Sequence, residues 1–357
     1  MHCNDGHGRA EIAGAQRRGL ETFHCFQRST NAPAEELAAR LAALAPVPGG
    51  RVFLTSGDSE AVDTAVKLSR IAHVQAGRGE RTLVIGRTPS CHGVTYGAMA
   101  LPGPSRHRKV SSRGIADVGQ VDNDDLAAVH AALEEQPSQV AAVFADPVVG
   151  AGGVWPPMSG YLEGLRQRCG EHGPHLVLDE VICGFGRLGS MFAGEQFGVQ
   201  AELAIFAKWV TSGYLPLCGL LAAPSVHEPL SGDPSFVLRH GYTYSGHETA
   251  CVAALACLRV TEREELISTA AAIGARLQPQ LRSLKTAWLV TDVRGVGAHW
   301  AVSLSDGVDL VAVPARMILE GVIGRPIGSP TPATCPPLVI THEDLAAVPA
   351  AMHSTPR

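Results

Sequence analysis

The chain has no excess of basic residues. Its 29 Lys and Arg face 34 Asp and Glu, for a net charge of −5. A nucleic-acid partner is therefore not expected, since that needs a strongly basic face. Long apolar runs are missing too: Asp146 breaks Ala141–Val149, and Glu202 and Lys208 break Ala201–Val210. Neither approaches the ~20 apolar residues of a membrane span, so no membrane partner is expected. Paired cysteines are also lacking. The nine cysteines are odd in number and include no C-x-x-C. No disulfide framework and no metal site is expected, and the compartment reads as a reducing cytoplasm. The opening Met-His-Cys-Asn-Asp-Gly has neither the basic nor the apolar region of a signal peptide. What is present is bulk: 357 residues, 45% of them hydrophobic. That length suits about two domains, and that composition excludes a fully disordered chain.

Periodicity supplies the elements. Leu37, Leu41 and Leu44 set a helix over Pro33–Leu44. Arg51–Thr55 reads as a strand running into Ser56-Gly57-Asp58-Ser59, a helix-capping turn. A helix follows to about Gln75, with Ala61, Ala65, Leu68 and Ala72 on one face. Thr82–Gly86, Val140–Phe144, His175–Leu178 and Leu203–Phe206 read as short buried strands. Helices are expected over Asp124–Glu135 and Gly160–His172, and a loop-rich stretch before Asn123. Short apolar strands alternating with helices predict an α/β fold, a parallel sheet covered on both faces. Beyond Thr261, helices Thr249–Val260 and Leu266–Leu284 lead to strand-like runs Trp288–Val293 and Ala301–Leu304. The expected division is a shortened N-terminal segment (1–44), a large domain (45–262) and a small C-terminal α+β domain (263–357).

In such sheets ligands sit beyond the carboxyl ends of the strands. Three candidates directly follow strands. Lys208 is either a surface lysine or, if buried, an amine with lowered pKa able to attack a carbonyl. Asp179 is either a cap or a buried carboxylate needing a cationic partner. Pyridoxal phosphate (PLP) needs both groups, a lysine for its aldehyde and an acid for its ring nitrogen. The helix start at Asp58 and Ser59 is either an ordinary cap or a phosphate seat. A competing pattern is Gly184-Phe185-Gly186-Arg187-Leu188-Gly189. It fits a dinucleotide fingerprint with Glu202 as the ribose acid, but the residues after Gly189 make a poor helix.

Taken together the segments resemble the class III, PLP-dependent aminotransferases, nearest to the ω-amino acid (amine or β-alanine):pyruvate transaminases. Leu178-Asp179-Glu180-Val181-Ile182-Cys183-Gly184-Phe185-Gly186-Arg187-Leu188-Gly189 carries the most specific match. Ala207-Lys208 with Thr211-Ser212-Gly213-Tyr214, and His240-Gly241-Tyr242-Thr243-Tyr244-Ser245-Gly246-His247, are further matches. The resemblance implies fold type I of the PLP-dependent transferases. It also implies PLP as cofactor, an amino donor and a keto acid acceptor as substrates, and a homodimer. Lys208 would bind the cofactor and shuttle the proton, and Asp179 would hold the ring nitrogen protonated. Val181 would pack on the ring, with Cys91 and His92 beside the cofactor. Asp58 and Ser59 would hold the phosphate, and Thr243 would reach it from the neighbouring subunit. Arg325 would clamp a substrate carboxylate. Departures from the family pattern are Asp58 for glycine, Cys91 for an aromatic residue, Trp209 for glycine, Asp146 for glutamate and Glu248 for proline. Asp58, Cys91 and Trp209, with the short N-terminal segment, support a second reading, a catalytically weakened or inactive relative serving as a binding partner.

Overall fold

Seven strands form the main sheet: β1 (Arg51–Thr55), β2 (Leu83–Thr88), β3 (Val118–Asp122), β4 (Val140–Ala145), β5 (His175–Asp179), β6 (Leu203–Phe206) and β7 (Cys218–Ala222). The computed structural model describes residues 3–22, 29–102, 114–286, 290–305, 308–309, 312–327 and 331–353. The strand order is β1-β7-β6-β5-β4-β2-β3. β2 to β6, with β3, run parallel, while β7 is antiparallel to both β1 and β6. β1 therefore points the same way as β6, and β1, β2, β4, β5 and β6 all end at one edge of the sheet.

Burial on both faces explains the apolar strands. Along β4, Ala142 and Phe144 enter one core cluster, and Val143 and Ala145 enter the opposite one. That is the two-residue alternation of a strand sandwiched between layers. The helix Asp58–Gln75 supplies Ala61, Ala65, Leu68 and Ala72 to the first cluster, as its periodicity predicts. Helices Leu126–Glu135 and Tyr161–His172 cover the other face through Val129, Leu133, Leu162 and Leu165.

Two strands of the main sheet escape the sequence patterns. β3 lies in the stretch expected to be loop and pairs with β2. β7 is obscured by Gly219, which reads as a breaker. A Cβ there would lie 2.4 Å from the Phe53 carbonyl oxygen and 2.7 Å from Phe206 Cζ. Glycine is what lets β7 fit between its two neighbours.

A second sheet is wholly antiparallel. It holds β8 (Val290–Val296), β9 (His299–Leu304), β10 (Arg325–Pro326) and β11 (Pro332–Thr334) in the order β10-β11-β9-β8. Helices Glu248–Arg263 and Leu266–Ser283 precede it. Trp288, expected to open the first of these strands, lies outside the described residues. Among the described residues no helix is long and apolar enough to cross a membrane.

Candidate active site

The shared strand edge gathers the chemistry. Asp179 ends β5 and is buried. Its Oδ1 accepts from the Val181 backbone N–H at 3.0 Å. Its Oδ2 lies 2.6 Å from Nδ1 of the buried His92, which the loop after β2 carries. His92 Nε2 is 2.9 Å from Ser90 Oγ, and Ser90 donates to Asp146 Oδ2 at 2.5 Å. Ser90 has a single proton. Given to Asp146, it leaves Ser90 to accept from His92 Nε2, while Nδ1 donates to Asp179. His92 is then an imidazolium, a state inferred from its partners. Burial lowers the His92 pKa, but the neighbouring Asp146 and Asp179 more than reverse this, and the net direction is up. Burial raises Asp146. Arg87 Nη2 donates to the Asp146 backbone oxygen at 2.5 Å and lies 3.8 Å from its carboxylate. Two buried acids are thus held by one imidazolium and one guanidinium, as buried charge requires.

Beside Asp179 stands Glu180, which has a different task. Its two oxygens accept from the Ala193 and Gly194 N–H groups at 2.8 and 2.7 Å, tying down the loop after β5. Burial pushes its pKa up to about 7, against the pull of those two donors.

Lys208 follows β6 in a 3₁₀ turn, Lys208–Thr211. Its φ of +44° lies in the left-handed region. That conformation costs a non-glycine residue about 1–3 kcal/mol and is typical of functional sites. Its Nζ lies 3.2 Å from Asp58 Oδ2, at the first residue of the helix that follows β1. Asp58 Oδ1 accepts from the Ser59 N–H at 2.9 Å. Ser59 Oγ in turn accepts from the Val94 N–H at 3.0 Å. A Cβ at Gly93 would come within 2.2 Å of that hydroxyl, so only glycine lets the His92 loop lie against the helix start.

The remaining candidates divide. Val181 is buried beside Asp179, and Cys91 is exposed next to His92. Thr243 is exposed. It lines a cleft of about 1000 Å³ with Phe53, His240 and Tyr242, and neither Lys208 nor Asp179 lines that cleft. Arg325 is exposed on β10. Trp209 turns away from the strand edge. It is buried, donates from Nε1 to the Ile182 oxygen at 3.0 Å, and lies 4.3 Å beneath the Arg187 guanidinium. It therefore fills core rather than the cofactor space. Sequence reasoning missed Arg87 and Ser90; an arginine or serine near a strand end carries no distinguishing pattern.

The glycine run does not serve a dinucleotide. Residues 181–190 form turns and bends, and only a four-residue helix, Ala193–Gln196, follows. Glu202 is engaged with Arg166 at 2.7 Å and the Leu176 N–H at 2.8 Å. It is not available to a ribose.

An amine and a buried acid at neighbouring strand ends suit the chemistry of PLP, with a helix start for its phosphate. The fit is supported from within the chain. The Asp58 carboxylate is an anion already seated on the Ser59 N–H and the Lys208 ammonium. Residues 2–355 match the family described as aminotransferase class-III. The ω-aminotransferase of Caulobacter vibrioides is 34% identical over 96% of this chain and 84% of its own length. The ω-amino acid–pyruvate aminotransferase of Pseudomonas putida is 33% identical over 85% of this chain and 73% of its own. An (S)-enantioselective ω-transaminase from Thermomicrobium roseum superposes with a TM-score of 0.93 at 32% identity, covering 99% of this chain and 85% of that one. A PLP-bound amine transaminase from an uncultivated Pseudomonas species gives 0.92 at 32% identity, covering 99% and 87%. The fold is that of the PLP-dependent transaminases. The chain belongs to the class III aminotransferases, and its cofactor is PLP.

Proposed function

We propose that this enzyme moves an amino group from an amine or ω-amino acid to a keto acid in two half-reactions, acting as a cytoplasmic homodimer. The observation that carries the reading is the placement of Lys208 and the Asp179–His92 pair after the adjacent strands β6 and β5. The names of the Caulobacter and Pseudomonas relatives support the substrate class. PLP supplies an aldehyde for the amine and a ring that withdraws electrons when its nitrogen is protonated. In this chain Lys208 would hold the cofactor at its aldehyde, water leaving as the amine joins it, and its free amine would move a proton at the substrate carbon. Asp179 would hold the protonated ring nitrogen, and His92 orients Asp179 through the 2.6 Å contact at Oδ2. Val181 and Cys91 border the ring. The backbone at Asp58 and Ser59 receives the phosphate, and Arg325 receives a substrate carboxylate through its guanidinium fork. Residues 45–262 serve as the cofactor-binding domain and 263–357 as the small domain. The inactive-relative reading loses part of its ground, since Trp209 points away from this edge.

Asp179→Asn tests the acid. The variant should fold, bind PLP and lose turnover by about 100-fold or more, because a neutral partner no longer stabilises the charged ring. Steady-state turnover beside a PLP titration separates the two effects. Unchanged turnover would leave Asp179 as a cap.

The dimer is tested through Thr243. Thr243 is exposed in a cleft that Lys208 and Asp179 of the same chain do not line, and the reading places its phosphate contact at the neighbouring subunit's site. Sedimentation with saturating PLP should give a dimer, and Thr243→Val should weaken PLP binding without dissociating it. A monomer that carries lysine-bound, borohydride-reducible PLP would sink shared sites.

A further inference from the structure

The helix start after β1 is occupied by the chain's own carboxylates. Glu60 Oε2 accepts from the Ser56 and Gly57 N–H groups, both at 3.0 Å, and from Ser56 Oγ at 2.9 Å. Asp58 takes the Ser59 N–H with one oxygen and the Lys208 ammonium with the other, at 2.9 and 3.2 Å. One side chain thus engages both a backbone donor assigned to the phosphate and the amine assigned to the aldehyde. The Asp58 side chain is 41% exposed and that of Lys208 22%. An ion pair this open contributes little stability and can be displaced.

We propose that Asp58 is a positioning residue that acts as an internal anion. It closes the phosphate end of the cofactor seat in the free chain and lowers the preference for a phosphorylated cofactor. This rests on the reading of Ser59 and Lys208 as cofactor contacts. For the phosphate to take the Ser59 N–H, Asp58 must release it. The carboxylate then remains close to a second anion, and Lys208, once bound to the aldehyde carbon, no longer offers it an ammonium. The phosphate therefore meets two opposed effects, the helix-start donors that attract it and a like charge that repels it. Both effects vanish for a cofactor without phosphate. The contrast between pyridoxal 5'-phosphate and pyridoxal isolates them.

The experiment measures dissociation constants of both compounds by equilibrium dialysis against the cofactor-free chain, its Asp58→Asn variant and its Asp58→Gly variant. Asparagine retains the shape and removes the charge; glycine removes both. The phosphate preference, the ratio of the two constants, should rise roughly tenfold or more in each variant. Inorganic phosphate should compete with pyridoxal 5'-phosphate more strongly in the variants than in the parent. A preference within twofold of the parent in both variants overturns the proposal. A rise in Asp58→Gly alone also overturns it, because the effect would then be one of space or backbone rather than charge. Borohydride trapping followed by peptide mapping of the parent tests the underlying reading separately. Label missing from Lys208 sinks that reading, whereas an unchanged preference sinks only the role of Asp58.

Discussion

Lys208→Ala is expected to abolish lysine-bound PLP and transamination together. The chain has four lysines, Lys67, Lys109, Lys208 and Lys285. Lys67 is engaged with His240 Nδ1 at 3.2 Å on the helix after β1, and Lys285 with Asp292 at 3.5 Å beside β8. Among the described lysines, Lys208 alone follows a strand of the main sheet at the edge where Asp179 lies. Alanine removes the amine that binds the aldehyde and the group that moves the proton. Loss of a positioned proton-transfer group alone lowers rates by roughly 10²–10⁴-fold. The fold should survive, since the Asp58 partner is partly solvated and the pair adds little stability. Absorbance of the PLP-loaded protein before and after borohydride, with turnover measured on the same sample, checks this. A borohydride-sensitive band that persists in the variant would move the attachment to another lysine.

The second large effect is on stability. Trp209 stands where the family pattern has glycine, and restoring glycine looks from sequence like a repair of the site. The structure predicts the reverse. The indole sits in a core cluster with Phe185, Phe192 and Phe206. Its N–H is donated to Ile182, and its face supports a fully buried guanidinium. Among the described residues Arg187 otherwise donates to neutral oxygens, those of Ala298 at 3.2 Å and Pro336 at 2.6 Å and the Asn4 side chain. A buried cation with no ion-pair partner among the described residues depends on every such contact. Trp209→Gly empties a large volume and strips that face. It should cost about 3–5 kcal/mol or more and lower Tm by roughly 5–10 °C. Trp209→Phe keeps a ring but loses the N–H, and should cost about 1–3 kcal/mol. Thermal unfolding of the three proteins decides it. A glycine variant as stable as the parent would mean that the surrounding core closes over the gap.

The elements themselves were largely legible. Runs such as Val140–Phe144 and Leu203–Phe206 are apolar because both sheet faces are covered, and that signal is local. Asp179 and Lys208 stand out for the same reason: each is a charge placed directly after such a run, which in a parallel sheet is the ligand-bearing edge. The motif around Gly184–Gly189 carried the family resemblance and weighed against the dinucleotide alternative; the structure has turns where that alternative needs a helix.

Other features depend on which distant residues meet. β7 reads as broken until Gly219 is seen between Phe53 and Phe206. Ser90, His92, Asp146 and Asp179 come from the ends of three strands, and only packing joins them into one hydrogen-bonded chain. The side chains of Asp58 and Trp209 could each have faced the cofactor or turned away. Asp58 turned toward Lys208, and Trp209 turned into the core. Sequence spacing determines which backbone positions share an edge, because strand period and chain direction are local properties. Side-chain direction is chosen by neighbours far along the chain, through the volume they leave and the charge they offer, and for these residues only the tertiary structure decided it.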